Sequence, residues 1–270
     1  LLVTNVTDLS AEEIVKRYKA LADIERGFRV LKSEIEIAPV FHRLPERIKA
    51  HASLCFMALI LYRVMRARLK LAGPRILTVT GDAVLNTADL LGLGNLHVTG
   101  TTADNVGNVT TGGTQTYDGA VTLGTDATFT GTTGTYTGGI VGGGNDLTLN
   151  FSGLTVVSGG TFSGVKNFAT GNGGTTQLSG TITTTGTQTY NDDVVLSGDT
   201  VAAAGVNLVR FAGTLDGAAA GAQSLTVNGA GGAQFDGVVG GTSLSSVAVT
   251  GPTALNTTAV TTSGTQTYSG

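Results

Sequence analysis

The pentapeptide Gly-Thr-Gln-Thr-Tyr occurs three times, at 113–117, 186–190 and 264–268, and it restricts the fold of this chain more than any other feature. Its glutamines, Gln115, Gln188 and Gln266, are 73 and 78 residues apart. A second marker keeps the same rhythm, with Leu-Thr-Val at Leu77, Leu-Thr-Leu at Leu147 and Leu-Thr-Val at Leu225. His-Val-Thr-Gly at 97–100 and Ala-Val-Thr-Gly at 248–251 are 151 residues apart, as are Gln115 and Gln266. Independent markers in one register establish an internal repeat of about 75 residues.

Within each repeat the side chains alternate. The stretches 120–131 and 224–239 put Val, Leu and Phe on one face and Thr, Asn or Asp on the other, with Gly or Asn breaks every few residues. This pattern predicts strand–turn–strand without helix. Short, regular strands with small residues at the corners fit a right-handed parallel β-helix, a solenoid in which each coil buries a thin core against its neighbours. A disordered Gly/Thr tract is the alternative, and the regular alternation argues against it. The three leucines and the three tyrosines Tyr117, Tyr190 and Tyr268 are expected at equivalent inward positions. The tyrosine is expected to fill a core or edge position rather than to hold a ligand. Self-association through open β-edges is also expected.

The pattern belongs to only part of the chain. Residues 1–73 carry 13 Lys+Arg, 8 Asp+Glu and two glycines; residues 74–270 carry 3, 11 and 39. A break this steep marks two architectures, divided into residues 1–73 and 74–270. The single cysteine, Cys55, excludes a disulfide framework and a cysteine metal cluster. The apolar run around it is too short to span a bilayer. Residues 1–10 lack a basic segment ahead of an apolar core, so no secretion signal is read and the chain as it stands is expected in the cytoplasm. Both ends of the chain look cut.

Residues 8–33 read as a long helix, with Ser10 and Glu13 spaced for a capping box. Its inward stripe runs Ile14, Tyr18, Leu21, Glu25, Phe28, Lys32. Glu25 is out of place there, because a carboxylate on a core-facing stripe needs a partner. Either it pairs with Arg29 or Lys32, or it is a hard oxygen ligand for a divalent cation. Residues 45–71 read as a second helix, with Pro45 in its first turn. No metal spacing joins His42 to His51.

The run 18–51 resembles the C-terminal part of the catalytic domain of bacterial insertion-sequence DDE transposases. One branch of that family carries Y-x2-R-x3-E-x6-K. This chain matches it at Tyr18, Glu25 and Lys32 and departs from it at Leu21. The resemblance implies an α-helical pair torn from an RNase-H-like α/β domain. It implies that Glu25 is the last acid of a two-metal, Mg²⁺-dependent triad, and that Lys32 and Tyr18, with Arg29 beside them, contact DNA. The family's two aspartates precede this point, and neither Asp8 nor Asp23 is placed to substitute. A lone Glu25 cannot hold two metals about 4 Å apart, so no cofactor and no catalysis are expected of this chain. Residues 74–270 resemble the repeats of filamentous-haemagglutinin and autotransporter adhesins. That implies a secreted or cell-surface parent binding host-surface or cell-surface ligands.

The expectation is therefore a chimeric or truncated product, transposase fragment joined to adhesin repeats. One rival is an adhesin passenger whose N-terminal helices cap the first coil. The other is an active transposase whose aspartates lie upstream.

Overall fold

The structure is a computed structural model that describes residues 76–86, 89–157 and 161–270, all within one unit, Pro74–Gly270. The expected helical pair, and with it Tyr18, Glu25, Arg29 and Lys32, lies outside the described residues. Every described strand pairing is parallel, and strands inside the column pair with the strand one coil before and one coil after. The described part of this unit is thus a parallel β-solenoid, with three strands to a coil and short turns at three corners.

Three faces result. The first stacks Ile76–Val79, Asn95–Val98, Thr114–Tyr117, Thr133–Tyr136 and Leu154–Val157. The second stacks Ala83–Leu85, Thr102–Asp104, Val121–Leu123 and Gly139–Val141. The third is a nine-stranded sheet from Leu90–Leu93 to Thr253–Leu255. Thr175–Thr184 and Asp193–Gly205 bend through a corner and serve the first and second faces together. At about 4.8 Å between neighbouring strands, nine coils make a column roughly 40 Å long.

The alternation in the sequence decides which side chains go inside. In Ala127–Gly131 and Leu147–Phe151 every second residue is buried. Inside, side chains stack coil on coil. Tyr190, Phe211 and Phe235 lie in register on the third face, with ring centroids 4.9 and 5.4 Å apart and planes within 10°. Tyr117 and Tyr136 repeat the arrangement on the first face at 5.1 Å. Such offset stacks stabilise by about 1 kcal/mol beyond the area they bury. The outward positions carry Thr, Ser and Asn, whose β-branched or short side chains suit a solvated strand.

The three copies of each marker do point inward, but on three different faces. Gln115 lies on the first face, Gln188 on the third and Gln266 on the second. Leu77, Leu147 and Leu225 follow the same order. The reason is arithmetic. From one copy to the next the chain passes eleven strand places, counting the two bent strands twice. Eleven is not a multiple of three, so each repeat advances three coils and two further faces. The repeat of the sequence is not the repeat of the column.

A carboxylate forced among apolar neighbours at an inward site loses its solvent, whereas one at an outward site keeps it. Leu147 is 1 % exposed and Thr148 next to it faces out. Leu147→Asp is expected to lower the unfolding free energy by on the order of 4 kcal/mol, and Thr148→Asp to change it by less than about 0.5 kcal/mol. Urea unfolding followed by circular dichroism measures both.

Candidate functional site

The Gly-Thr-Gln-Thr-Tyr segments share one local structure that begins before the glycine. Each copy is the end of a longer motif: Val109–Tyr117, Ile182–Tyr190 and Val260–Tyr268 read Val/Ile-Thr-Thr-x-Gly-Thr-Gln-Thr-Tyr. The first residues finish one strand, the middle turns a corner, and Gln-Thr-Tyr starts the next strand. The first copy makes the corner from the third face to the first. The second joins the second face to the third, and the last joins the first face to the second.

The glutamine holds the corner. Gln115 Nε2 donates to Val109 O at 2.9 Å on the strand before the turn, and to Thr130 O at 2.9 Å on the next coil. Its Oε1 accepts the Tyr117 hydroxyl at 3.1 Å. Gln188 repeats this with Ile182 O at 2.9 Å, Ala203 O at 3.2 Å and the Tyr190 hydroxyl at 2.9 Å. Gln266 binds Val260 O at 3.0 Å and the Tyr268 hydroxyl at 3.2 Å. In each copy the threonine four before the glutamine donates to the carbonyl of the motif glycine, at 2.9 to 3.0 Å. Gln115, Gln188, Tyr117 and Tyr190 are wholly buried. A buried amide has two N–H donors to place, and the turn supplies an acceptor for both. Burial pushes both tyrosine hydroxyls far above the ordinary phenol range, so they remain neutral donors.

The motif glycine has its own cause. A Cβ on Gly113 would collide with Asn95 Oδ1, and one on Gly186 with Asn167 Oδ1. Those asparagine oxygens accept the N–H of Thr114 at 2.9 Å and of Thr187 at 3.0 Å, the residue after the glycine. Corner carboxylates serve the coil above in the same way. Asp82 accepts Thr101 N at 2.7 Å, Asp193 accepts Thr214 N at 2.8 Å, and Asp199 accepts Ser224 N at 2.9 Å. The Thr101 N–H and hydroxyl hold Asp82, and the Ser224 hydroxyl and N–H hold Asp199, below the ordinary carboxylate range. Several of the acids that look scattered in the sequence are therefore corner caps, each bonded to an N–H about one coil further along the chain.

Gly134 lies in register with Gln115 but carries no amide. The Phe151 ring occupies the space above it, and the hydroxyl of Tyr136, in register with Tyr117, has no partner among the described residues. Asp104, wholly buried on the second face, accepts Val106 N at 3.2 Å through Oδ1, and its Oδ2 has no partner there either. Burial raises its carboxyl above the ordinary range, against the pull of the Val106 and Gly107 N–H groups, and the charge of Asp89 adds to the rise.

On the outer surface His97 Nε2 lies 2.8 Å from Asp118 Oδ2. Arg210 binds Asp236 through Nε and Nη2, both at 2.7 Å, while Gln234 and Asn256 donate to the other oxygen of Asp236. Among the described residues no group of three or more His, Cys, Asp or Glu is placed to hold a metal. No described helix is long and apolar enough to cross a membrane. Comparison with protein-family models, with curated proteins and with solved structures finds no match to this chain.

Two outcomes are expected. Gln188→Leu takes the acceptor from the buried Tyr190 hydroxyl and a donor each from Ile182 O and Ala203 O, at about 1–3 kcal/mol for each group left buried and unsatisfied. Gln266 is exposed, so Gln266→Leu loses far less, and paired thermal melts of the two variants measure the contrast. Asp104 has the opposite sign from Asp82 and Asp199. Its folded-state pKa lies above its unfolded one, so its contribution to stability is full below the unfolded value of about 3.9 and falls as pH rises through the folded value. Asp104→Asn keeps the shape and the Oδ1 acceptor but cannot ionise. It is expected to match the parent at roughly pH 3 and to exceed it in urea stability at roughly pH 7.

Proposed function

We propose that this chain joins pieces of two parents: residues 1–73 from a DDE transposase, and residues 74–270 from the stalk of a secreted or cell-surface adhesin. The observation that carries the stalk half is the use of one nine-residue corner at all three corners of the column. A column whose corners are interchangeable lengthens by copying an eleven-strand unit. Each new coil contacts mainly its neighbours, so stability is a sum of local interfaces. That economy suits a spacer better than an enzyme, whose groups must converge at one place. The adhesin parent would meet host-surface or cell-surface ligands, and open β-edges would favour self-association.

For residues 1–73 the support is the match at Tyr18, Glu25 and Lys32 within a helix-patterned, basic segment. In the parent enzyme Glu25 would complete an Mg²⁺ site, and Lys32, Tyr18 and Arg29 would lie along DNA. Among residues 1–73 neither Asp8 nor Asp23 is placed to join Glu25 in such a site, and one carboxylate does not hold two metals, so neither cleavage nor strand transfer is expected of these residues.

Each half has its test. Deleting residues 118–190 removes one eleven-strand unit and joins two like corners. The shortened chain is expected to keep its β circular dichroism and a cooperative melt; collapse to an unfolded chain would show that the corners are not interchangeable. The full chain, incubated with DNA and Mg²⁺ or Mn²⁺, is expected to cut nothing. Metal-dependent cutting that vanishes in Glu25→Gln would instead establish an active transposase.

A further inference from the structure

Asn172 stands at the corner between Phe168–Gly171 and Thr175–Thr184, exposed to solvent and followed by Gly173. Its φ is 95°, the one positive value at a non-glycine residue among the described residues. Glycine after asparagine leaves the next backbone nitrogen unshielded, since no side chain stands beside it. That nitrogen is not merely solvated here. Gly173 N donates to Asp192 Oδ1 at 3.0 Å, and Gly174 N donates to the same oxygen at 3.2 Å. Thr176 Oγ1 donates to Asp192 Oδ2 at 3.4 Å. Asp192 is 2 % exposed, so a buried carboxylate is fixed against the N–H of an exposed Asn-Gly peptide.

We propose that Asn172 is a self-modification site, at which the Gly173 nitrogen attacks the Asn172 carboxamide while the Asp192 carboxylate takes the proton. The bond from Gly173 N to Asn172 Cγ forms, and the N–H proton passes to Asp192 Oδ1. The Cγ–Nδ2 bond then breaks. The amide nitrogen leaves as ammonia, taking the proton back from Asp192. The product is a five-membered imide across residues 172 and 173. Water adds to one of its two carbonyls and opens the ring, giving aspartate or its β-linked isomer at position 172. Water is the only co-reactant, and nothing is oxidised or reduced. A carboxylate at the proton in flight is general-base catalysis, which contributes ~10²-fold or more when the base is positioned. The consequence is a new charge, and in the β-linked form one more backbone atom, at the corner that Asp192 caps.

The same chain holds its own control. Asn228–Gly229 is the same dipeptide and Asn228 is also exposed, but it lies in Ser224–Gly229, in register with Ala203 and Gly205 of the neighbouring coil. The full chain is incubated at neutral pH. Conversion at each site is then followed by peptide mass spectrometry, as the mass gain of replacing an amide by an acid. In the folded protein Asn172 is expected to convert at least ~10-fold faster than Asn228; in urea the two rates should become equal. Asp192→Asn, checked for its fold by circular dichroism, is expected to erase the advantage of Asn172. Equal rates in the folded protein overturn the proposal. So does faster conversion of Asn172 in folded Asp192→Asn, which would mean that the carboxylate pins the nitrogen rather than activating it. If Asp192→Asn does not fold, the folded-to-urea comparison decides alone.

Discussion

Everything in the described column depends on one constraint: a strand's backbone groups must find partners in the coils above and below. Parallel pairing does this without hairpins, so the chain must turn the same way at every corner. Corners thus become the places where backbone groups are hardest to satisfy. Unpaired buried N–H and C=O groups are costly, and the side chains at the corners answer that cost. Gln115 and Gln188 bridge the two strands of their own coil and reach the next. Asp82, Asn95, Asn167 and Asp193 cap N–H groups of the following coil.

The interior then follows from a narrow cross-section. Three short strands enclose too little volume for a broad core, so aromatic rings stack along the column instead of across it. Where the glutamine is replaced by Gly134, the Phe151 ring enters and the Tyr136 hydroxyl loses its partner. The motif and its exception show the same rule: the inner corner is filled either by an amide with its acceptors or by an aromatic ring.

The functional reading inherits this organisation. Many of the described polar side chains stand at corners and bind backbone, while His97 with Asp118 and Arg210 with Asp236 pair on the outer surface. A column of this kind presents repeated, mostly uncharged surfaces and few convergent side chains. The corner at Asn172 is unlike the others, because the residue over the capping carboxylate is itself a carboxamide beside a glycine.

Much of the fold was legible in the residues alone. Alternation of Val, Leu and Phe with Thr and Asn specifies strands and their inward faces, because a strand's side chains alternate strictly. The markers Gln115, Gln188 and Gln266 specify a repeat. The threonines of Val-Thr-Thr and Ile-Thr-Thr ahead of each glycine, and the offset of 19 residues from Tyr117 to Tyr136, were also there to be read. Sequence could not say that the three copies would occupy three faces, since the number of strands per coil depends on how coils close and stack. Nor could it distinguish Asp192, buried under two glycine N–H groups, from Asp193 beside it. The neighbours of a side chain in this fold lie about twenty residues away in sequence, one coil above or below, and only the stacked structure brings them together.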